Sequence, residues 1–262
     1  MEYFIPDDSE SSDSAHHTHI RHEIEEPLDT PDDVEFTKEE MLAVIEKFDP
    51  GKAPGEGGQN SEIPLKTFKR FPTFITGLYN EWLRRGYFPK QWKHSIIIPI
   101  IKPGKEGSTE VTKYRPISLL NVRGKVLEKL LIDRINHHAF SNSLLNGNQY
   151  GFLPQKSTID AALTVKSVIR ENLLQKNCFV MVGLDVKGAF DAAWWPCILS
   201  NLRGLRCPKN LYNLTLNYFR DRVASLQPNT HTVKRTDERL SSRFMLWARI
   251  LEHHVRCPLE LF

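Results

Sequence analysis

The stretch LDVKGAFD, residues 184–191, places two carboxylates six residues apart, directly after the apolar run FVMVGL at 179–184. A buried strand that ends in Asp is a common way to hold a divalent cation. The strand fixes the carboxylate, and the next backbone carbonyl can add an oxygen ligand. An ordinary exit from a strand into a turn gives the same pattern. The stretch therefore predicts a strand over Cys178–Asp185 with a candidate metal site at its end.

Four other motifs precede this stretch in a fixed order: KAPG at 52–55, IIIP at 96–99 with KPGK at 102–105, YRPISLL at 114–120, and NQYGF at 148–152. Together the five resemble the reverse transcriptase domain of a non-LTR (LINE-type, jockey-like) retrotransposon. The resemblance runs from about Phe36 to about Arg239, roughly four-fifths of the chain. Group II intron and telomerase polymerases share the palm, but YRPISLL followed by LDVKGAFD favours the LINE-type branch.

The resemblance implies a role for each residue of the central motif. Asp185 is the expected catalytic carboxylate and Mg²⁺ ligand, and the carbonyl of Val186 is expected to bind the nucleotide-side metal. Phe190 matches the bulky residue under the incoming sugar, where an aromatic edge leaves no room for a 2′-hydroxyl. Asp191 is typical of the branch, and capping a turn explains it as well as catalysis does.

Two basic residues match the family's triphosphate contacts. Lys102 and Arg115 lie at the ends of a predicted hairpin, in which residues 96–101 pair with 113–119. Arg115 can contact a phosphate in bidentate fashion, whereas Lys102 acts as a point charge. Two solvated turn charges are the alternative for this pair.

The NQYGF segment resembles the one that lies beside the templating base and the nucleotide. Gln149 and Gly151 are candidate nucleotide contacts, since a glycine permits close backbone approach. Phe152 is a candidate template contact by stacking, although a loop that packs its aromatic residues inward is the alternative. Lys52 in KAPG is a second candidate template contact, against a plain turn. The implied partners are an RNA template, a DNA primer and a dNTP.

Net charge divides the chain. The overall charge of +3 combines a net −11 over residues 1–35 with +14 over the remainder. A basic body of that size suits a nucleic-acid partner, although a merely soluble basic domain is the alternative. The acidic segment is rich in Asp, Glu, Ser, Pro and His, and this composition predicts disorder.

The pattern of elements predicts an α+β fold that is rich in helices and has few strands. Capping boxes predict helix starts at Thr37 and Ser157, and the apolar stripe after Ser157 is predicted to be core. The predicted organisation is a disordered segment at 1–35, a fingers-like region at 36–175, a partial palm at 176–239 and an aberrant tail at 240–262.

The tail departs from the family. The Gly-Cys-Pro-Gln-Gly-Ser-type segment and the Asp-Asp hairpin that supply the other carboxylates are missing after Asp191. A shifted reading of codons compatible with residues 240–262 gives Cys-Pro-Gln-Gly-Ser, so we interpret this tail as a frameshifted version of the missing segment. At two further positions the family pattern has a charged residue, Asp or Arg, where this chain has Gly57 and Leu153.

These departures predict a truncated, catalytically inactive reverse transcriptase fragment. The alternatives are a non-catalytic nucleic-acid-binding remnant and an unstable pseudogene product. No metal-ligand cysteine spacing, signal peptide or run of about 18 apolar residues is present. The sequence therefore predicts an intracellular protein, nuclear or cytoplasmic, with no membrane and no obligate protein partner.

Overall fold

The computed structural model describes residues 10–142, 147–151, 153, 155–184 and 194–226, together with the backbone of 233–236. Short 3₁₀ turns occupy Glu10–Ser12, Lys90–Trp92 and Val111–Lys113. The described residues form eight α-helices: α1 Ala15–Glu25, α2 Lys38–Ile45, α3 Glu62–Arg70, α4 Pro72–Arg85, α5 Val122–Ser141, α6 Thr158–Leu174, α7 Trp195–Gly204 and α8 Lys209–Phe219.

Four strands form one mixed sheet in the same part of the chain. Strand β1 is His94–Ile101, β2 is Tyr114–Leu120, β3 is Arg222–Leu226 and β4 is Val233–Thr236, and their order in the sheet is β2-β1-β3-β4. β1 pairs antiparallel with β2 and parallel with β3, while β3 pairs antiparallel with β4. The α+β class and the predicted hairpin are therefore confirmed.

Helix α8 binds the other segments together through its polar side chains. The Tyr218 hydroxyl donates to Glu128 of α5 at 2.9 Å, and Asn217 accepts from the Phe88 amide at 2.8 Å. The Tyr212 hydroxyl donates to the Ile24 carbonyl at 2.9 Å. On the same helix, Leu211, Leu214 and Thr215 are fully buried. A buried polar group needs a partner, so each of these bonds fixes which segment can cover α8.

Both predicted capping boxes are present. The Glu40 amide donates to the Thr37 hydroxyl at 3.1 Å, and the Glu40 carboxylate accepts from the Thr37 amide at 3.4 Å. At α6 the Asp160 amide donates to the Ser157 hydroxyl at 3.2 Å, and the Asp160 carboxylate accepts from the Ser157 amide at 2.8 Å. Each box satisfies amides that have no partner inside the helix, so both helices begin where the sequence predicts.

The prediction of disorder is wrong for residues 10–35. Helix α1 packs against α7 and buries Ile20 and Ile24, and Leu28 is buried after it. The Ser200 hydroxyl of α7 donates to Glu23 at 2.8 Å. Acidic composition suggested a solvated tract, but the apolar residues lie four apart on one helical face and the acids meet basic and hydroxyl groups. The segment is therefore part of the folded core.

Arginines from distant parts of the chain neutralise this acidic segment. Arg203 of α7 lies 3.9 Å from the Glu23 carboxylate and 3.8 Å from that of Glu26, and Arg220 forms an ion pair with Glu25. Arg134 of α5 donates to Asp33 at 3.1 Å and to Glu40 at 2.7 Å. Some of the basic residues of the segment 36–262 therefore form ion pairs within the fold.

Two other expectations about the core are wrong. Helix α6 has no buried residue among those described, and Val165 and Val168 of the predicted core stripe are exposed. The described part of the predicted strand, Cys178–Leu184, is irregular, and the exposed fraction of Leu184 is 84%. A strand needs a neighbouring strand for its backbone hydrogen bonds. Within the described residues, β1–β4 pair with one another and none pairs with 178–184.

None of the helices in the described part of the chain is both long and apolar enough to cross a membrane.

Docking of the N-terminal helix is testable by removing one buried side chain. Ile24 is 2% exposed, so Ile24→Ala is expected to lower the free energy of unfolding by about 2–4 kcal/mol. The matched control is Val34→Ala, at a position 68% exposed, where a change within about 0.5 kcal/mol is expected. Urea unfolding followed by circular dichroism measures both values. Equal, small changes in the two variants would contradict docking of α1.

Candidate nucleic-acid-binding site

The predicted catalytic stretch lies outside the described residues. Asp185, Val186, Phe190 and Asp191 belong to 185–193, and Phe152 is also outside. In the described part of the chain, no group of three or more His, Cys, Asp or Glu side chains could hold a metal ion. The roles given to these five residues therefore stay predictions.

The hairpin positions its two basic residues differently. Arg115 lies at the start of β2, beside the loop that joins the two strands of the hairpin, opposite Ile100 in the register, and is exposed. Lys102 follows β1, and its ammonium donates to the Thr112 carbonyl at 2.7 Å. The Lys102 amide also donates to the Lys113 carbonyl at 2.8 Å, which closes the hairpin. Arg115 is therefore able to reach a ligand, whereas Lys102 is already used to hold the loop.

The template segment is held by a lysine that the sequence analysis missed. The Lys156 ammonium donates to the Gln149 carbonyl at 2.9 Å and lies 4.9 Å from the centre of the Tyr150 ring. The Tyr150 hydroxyl contacts the Thr164 hydroxyl at 2.6 Å, which joins the segment to α6. Gln149 itself donates to the Gly151 carbonyl at 3.3 Å. The signal for this contact in the sequence is a lysine directly before Ser157, the N-cap residue of α6.

The KAPG loop is pressed against the junction of β2 and α5. A Cβ atom added to Gly55 would lie 2.2 Å from the Leu120 carbonyl oxygen, so only glycine fits there. The Asn121 side chain donates to the Glu56 carbonyl at 3.5 Å. Gly57, which replaces the family's charged residue, has φ of +87°, a conformation that favours glycine. Lys52 is exposed at the edge of this loop.

A buried carboxylate, also missed, joins α5 to α8. Glu128 is 2% exposed and accepts the Tyr218 hydroxyl. Arg222 of β3 donates to the Tyr218 carbonyl at 3.1 Å, and its guanidinium lies 4.3 Å from the centre of the Tyr218 ring. Burial raises the pKa of Glu128 to about 6, against the opposing effects of Arg222, the Tyr218 hydrogen bond and Lys125. The signal for this contact in the sequence is an acidic residue, Glu128, among the apolar residues of α5, because a buried carboxylate needs a hydrogen-bond donor.

Comparison with known proteins agrees with these motifs. Residues 100–243 match the family model described as "Reverse transcriptase (RNA-dependent DNA polymerase)". This chain belongs to the reverse transcriptase family. The matched range contains the hairpin residue Arg115, the NQYGF segment and the LDVKGAFD stretch.

The relatives of this reverse transcriptase chain come from mobile elements of insects. It is 33% identical over 194 residues to the RNA-directed DNA polymerase from mobile element jockey of Drosophila funebris. The aligned residues make up 72% of this chain and 20% of that protein. It is 32% identical over 189 residues to the probable RNA-directed DNA polymerase from transposon BS of Drosophila melanogaster, covering 70% and 20% respectively. The chain thus spans about a fifth of the length of these relatives. The predicted likeness to jockey-type non-LTR reverse transcriptases is confirmed.

The raised pKa of the buried Glu128 makes the free energy of unfolding depend on pH, and it fixes the direction of that dependence. Because the pKa of Glu128 is about 6 in the folded chain and near 4.5 ordinarily, the folded state binds more protons between these values. The free energy of unfolding should therefore fall by about 2 kcal/mol as the pH rises through this window. In Glu128→Gln this loss should disappear.

Chemical unfolding at pH 4 and pH 7 measures the effect as the difference between wild type and variant. Glu39→Gln, which removes an exposed carboxylate, is the control and should keep the wild-type pH dependence. A difference between wild type and Glu128→Gln that does not change with pH would contradict a buried Glu128 with a raised pKa.

Proposed function

We propose that this chain carries the fingers and the first part of the palm of an RNA-directed DNA polymerase from a non-LTR retrotransposon. The observation that carries the proposal is the family match over residues 100–243, which contains the motifs YRPISLL, NQYGF and LDVKGAFD. The jockey relatives are RNA-directed DNA polymerases by name. The proposed partners are accordingly an RNA template, a DNA primer and a dNTP.

The proposed roles follow the residues that match the family. Asp185 and the Val186 carbonyl are the proposed Mg²⁺ ligands, and Phe190 is the proposed gate against a 2′-hydroxyl. When bound, Mg²⁺ ions would activate the primer hydroxyl and stabilise the leaving pyrophosphate. Among the described residues, no group of three or more His, Cys, Asp or Glu side chains could hold such ions. Asp191 keeps both of its interpretations, catalysis and turn capping.

The nucleotide and template contacts are proposed from the same match. The exposure of Arg115 at the loop end of the hairpin supports a contact with the triphosphate. Lys102 would first have to release the Thr112 carbonyl, which makes it the weaker candidate. Gln149 and Gly151 are proposed to lie beside the nucleotide, and Phe152 beside the template.

We further propose that these 262 residues do not polymerise by themselves. Two-metal nucleotidyl transfer needs carboxylates from two separate segments, and no Asp-Asp pair follows Asp191 in this sequence. Displacing reacting groups by about 1 Å can already cost ~10²-fold in rate, so a higher concentration of ions does not replace the missing ligands.

RNA binding without catalysis is a second candidate function. It is favoured by the net charge of +14 over residues 36–262, which suits a polyanionic partner and needs no catalysis. The third interpretation, a pseudogene product with no stable fold, predicts no cooperative unfolding. A sharp urea transition would argue against it.

Primer extension tests the proposed lack of activity. With oligo(dT) on poly(rA), the 262-residue chain is expected to give no synthesis at any Mg²⁺ or Mn²⁺ concentration, because one carboxylate segment cannot place two ions. A longer chain, continued in the restored frame after Arg239 through an Asp-Asp hairpin and a thumb, is the matched comparison and is expected to gain activity. Template-dependent incorporation by the 262 residues themselves, lost in Asp185→Ala, would contradict the proposal.

A further inference from the structure

Three side chains from separate parts of the chain form a continuous hydrogen-bonded row beside the sheet. Nε2 of His94, on β1, lies 3.0 Å from the hydroxyl oxygen of Ser225, on β3. On the other side of the ring, Nδ1 of His94 lies 2.7 Å from a carboxylate oxygen of Glu56, the residue that follows KAPG. We call these three residues the Ser225 triad. A serine bound to an imidazole that is itself bound to a carboxylate is the arrangement that makes a hydroxyl nucleophilic in hydrolases.

The carboxylate of Glu56 decides which nitrogen of a neutral His94 ring carries the proton. An ionised carboxylate can only accept a hydrogen bond, so Nδ1, which faces it, is the protonated nitrogen. The other nitrogen, Nε2, then has a free lone pair, and the Ser225 hydroxyl donates to it. The ring is therefore set to take the hydroxyl proton when the serine oxygen attacks an electrophile.

The register of the sheet holds the imidazole and the hydroxyl together. In the parallel pair of β1 with β3, His94 is the partner of Val223, and Ile96 is the partner of Ser225. Partner residues in a sheet lie on the same face, as do residues two apart along a strand. These four side chains therefore share one face. His94 and Ile96 are half-buried on it, whereas Ser95, which lies between them on the opposite face, is buried.

The loop that carries Glu56 is fixed at the junction of β2 and α5. Gly55 lies against the Leu120 carbonyl at a distance that excludes any side chain. The Asn121 side chain donates to the Glu56 carbonyl at 3.5 Å, and the Gly58 amide donates to the Gly55 carbonyl at 3.1 Å. Because the backbone is held on both sides of Glu56, its carboxylate stays beside the imidazole, as an orienting group must.

The exposure of the triad limits the molecules that can react with it. The side chain of His94 is 28% exposed and that of Glu56 is 45% exposed, whereas Ser225 is 8% exposed. Solvent therefore reaches the imidazole, and an electrophile must be small to approach the serine oxygen. The neighbours on the same face, Ile96 and Val223, are half-buried and apolar, which favours an uncharged molecule with a short apolar chain.

The size of the expected rate effect selects the class of substrate. General-base catalysis by a positioned side chain contributes about 10²–10⁴-fold. Complete enzymes typically supply ~10⁶-fold or more, so an unreactive bond such as an amide lies beyond a triad that acts through its base alone. An ester with a good leaving group needs a smaller acceleration and is therefore the appropriate substrate.

We propose that the Ser225 triad cleaves small, uncharged carboxylic esters that have good leaving groups. The Ser225 oxygen forms a bond to the acyl carbon, and its proton passes to Nε2 of His94. The bond between the acyl carbon and the leaving oxygen then breaks, and that oxygen takes the proton from Nε2. This step releases an alcohol or phenol and leaves an acyl group on Ser225.

Water completes the cycle in a second step. His94 takes a proton from a water molecule whose oxygen bonds to the acyl carbon, and the bond from that carbon to Ser225 breaks. The serine oxygen regains the proton from Nε2, and a carboxylic acid is released. Glu56 is a positioning residue, since it acts through His94. This activity goes beyond the proposed polymerase function and uses none of the residues assigned to it.

Diisopropyl fluorophosphate, a small electrophile, tests the nucleophile on the full 262-residue chain. The Ser225 oxygen is expected to bond to phosphorus, while fluoride leaves and His94 takes the hydroxyl proton. Peptide mass spectrometry should find the diisopropylphosphoryl group on Ser225, and Ser225→Ala should remove this label. Ser95→Ala is the matched control, because it removes a hydroxyl of the same sheet that lies on the opposite face. In this control Ser225 should react at the wild-type rate.

Two further variants test the base and the positioning residue. His94→Gln is expected to lower the rate constant of labelling at saturating probe about 100-fold, because the proton acceptor is lost. Glu56→Gln should lower the same constant about 10-fold and leave the half-saturating probe concentration unchanged, because Glu56 orients the imidazole without touching the probe. Release of nitrophenolate from p-nitrophenyl acetate should fall in the same order. Thermal melting shows whether each variant is folded.

Two results would overturn the proposal. The first is a folded wild-type chain in which Ser225 stays unlabelled, whether or not other residues react. The second is labelling of Ser225 that is equally fast in folded His94→Gln. Either result would make the triad a structural link between the loop and the sheet. Neither result bears on primer extension, so a failure of this site is distinguishable from a failure of the proposed function.

Discussion

Helix α8 imposes the constraint on which the rest of the structure depends, because four of its buried or half-buried polar side chains are paired with groups from other segments. Tyr212 reaches α1, Asn217 reaches the residues that precede β1, and Tyr218 reaches α5. Asn210 adds a pair of bonds of 2.9 Å with the backbone of Asp33. Leaving any of these groups unpaired in the interior would cost about 1–3 kcal/mol, so the segments can surround α8 in only one arrangement.

That arrangement also positions the candidate site. Strand β3 follows α8 and pairs parallel with β1, which forms the hairpin that carries Arg115. Helix α5 is joined to α8 through Glu128, and the KAPG loop, which carries Lys52, lies against the start of α5. The basic groups proposed to contact nucleic acid therefore depend on the same buried contacts as the core. Loss of a bond at α8 should disturb binding as well as stability.

Local signals in the sequence predicted much of this fold. The capping boxes at Thr37 and Ser157 and the hairpin strands follow from contacts between residues near each other in the chain, and all of them are present. The docked segment was not predicted, because its acids form ion pairs with Arg203 and Arg220, which lie far along the sequence. The strand predicted at 178–184 failed for the same physical reason, since pairing depends on a distant neighbour that periodicity does not reveal.

The site was predicted less completely than the fold. Arg115 could be placed on its strand from the motif alone, but the bond that occupies Lys102 depends on the loop at Thr112. Glu128 lies in an apolar helical stripe, and its role arises only when α8 is brought against it. Motifs thus identify candidate residues by type. Contacts with other parts of the chain then determine which of these side chains can bind a ligand.

Hydrogen exchange of the full chain, read by mass spectrometry, tests the central role of α8 most directly. If α8 binds all its neighbours in one core, peptides from α1, α5 and α8 should be the slowest to exchange and should lose protection together as denaturant is added. Peptides that cover 178–184, which are exposed, should exchange at once. Rapid exchange of α1 beside a protected α8, or a protected 178–184, would contradict this account.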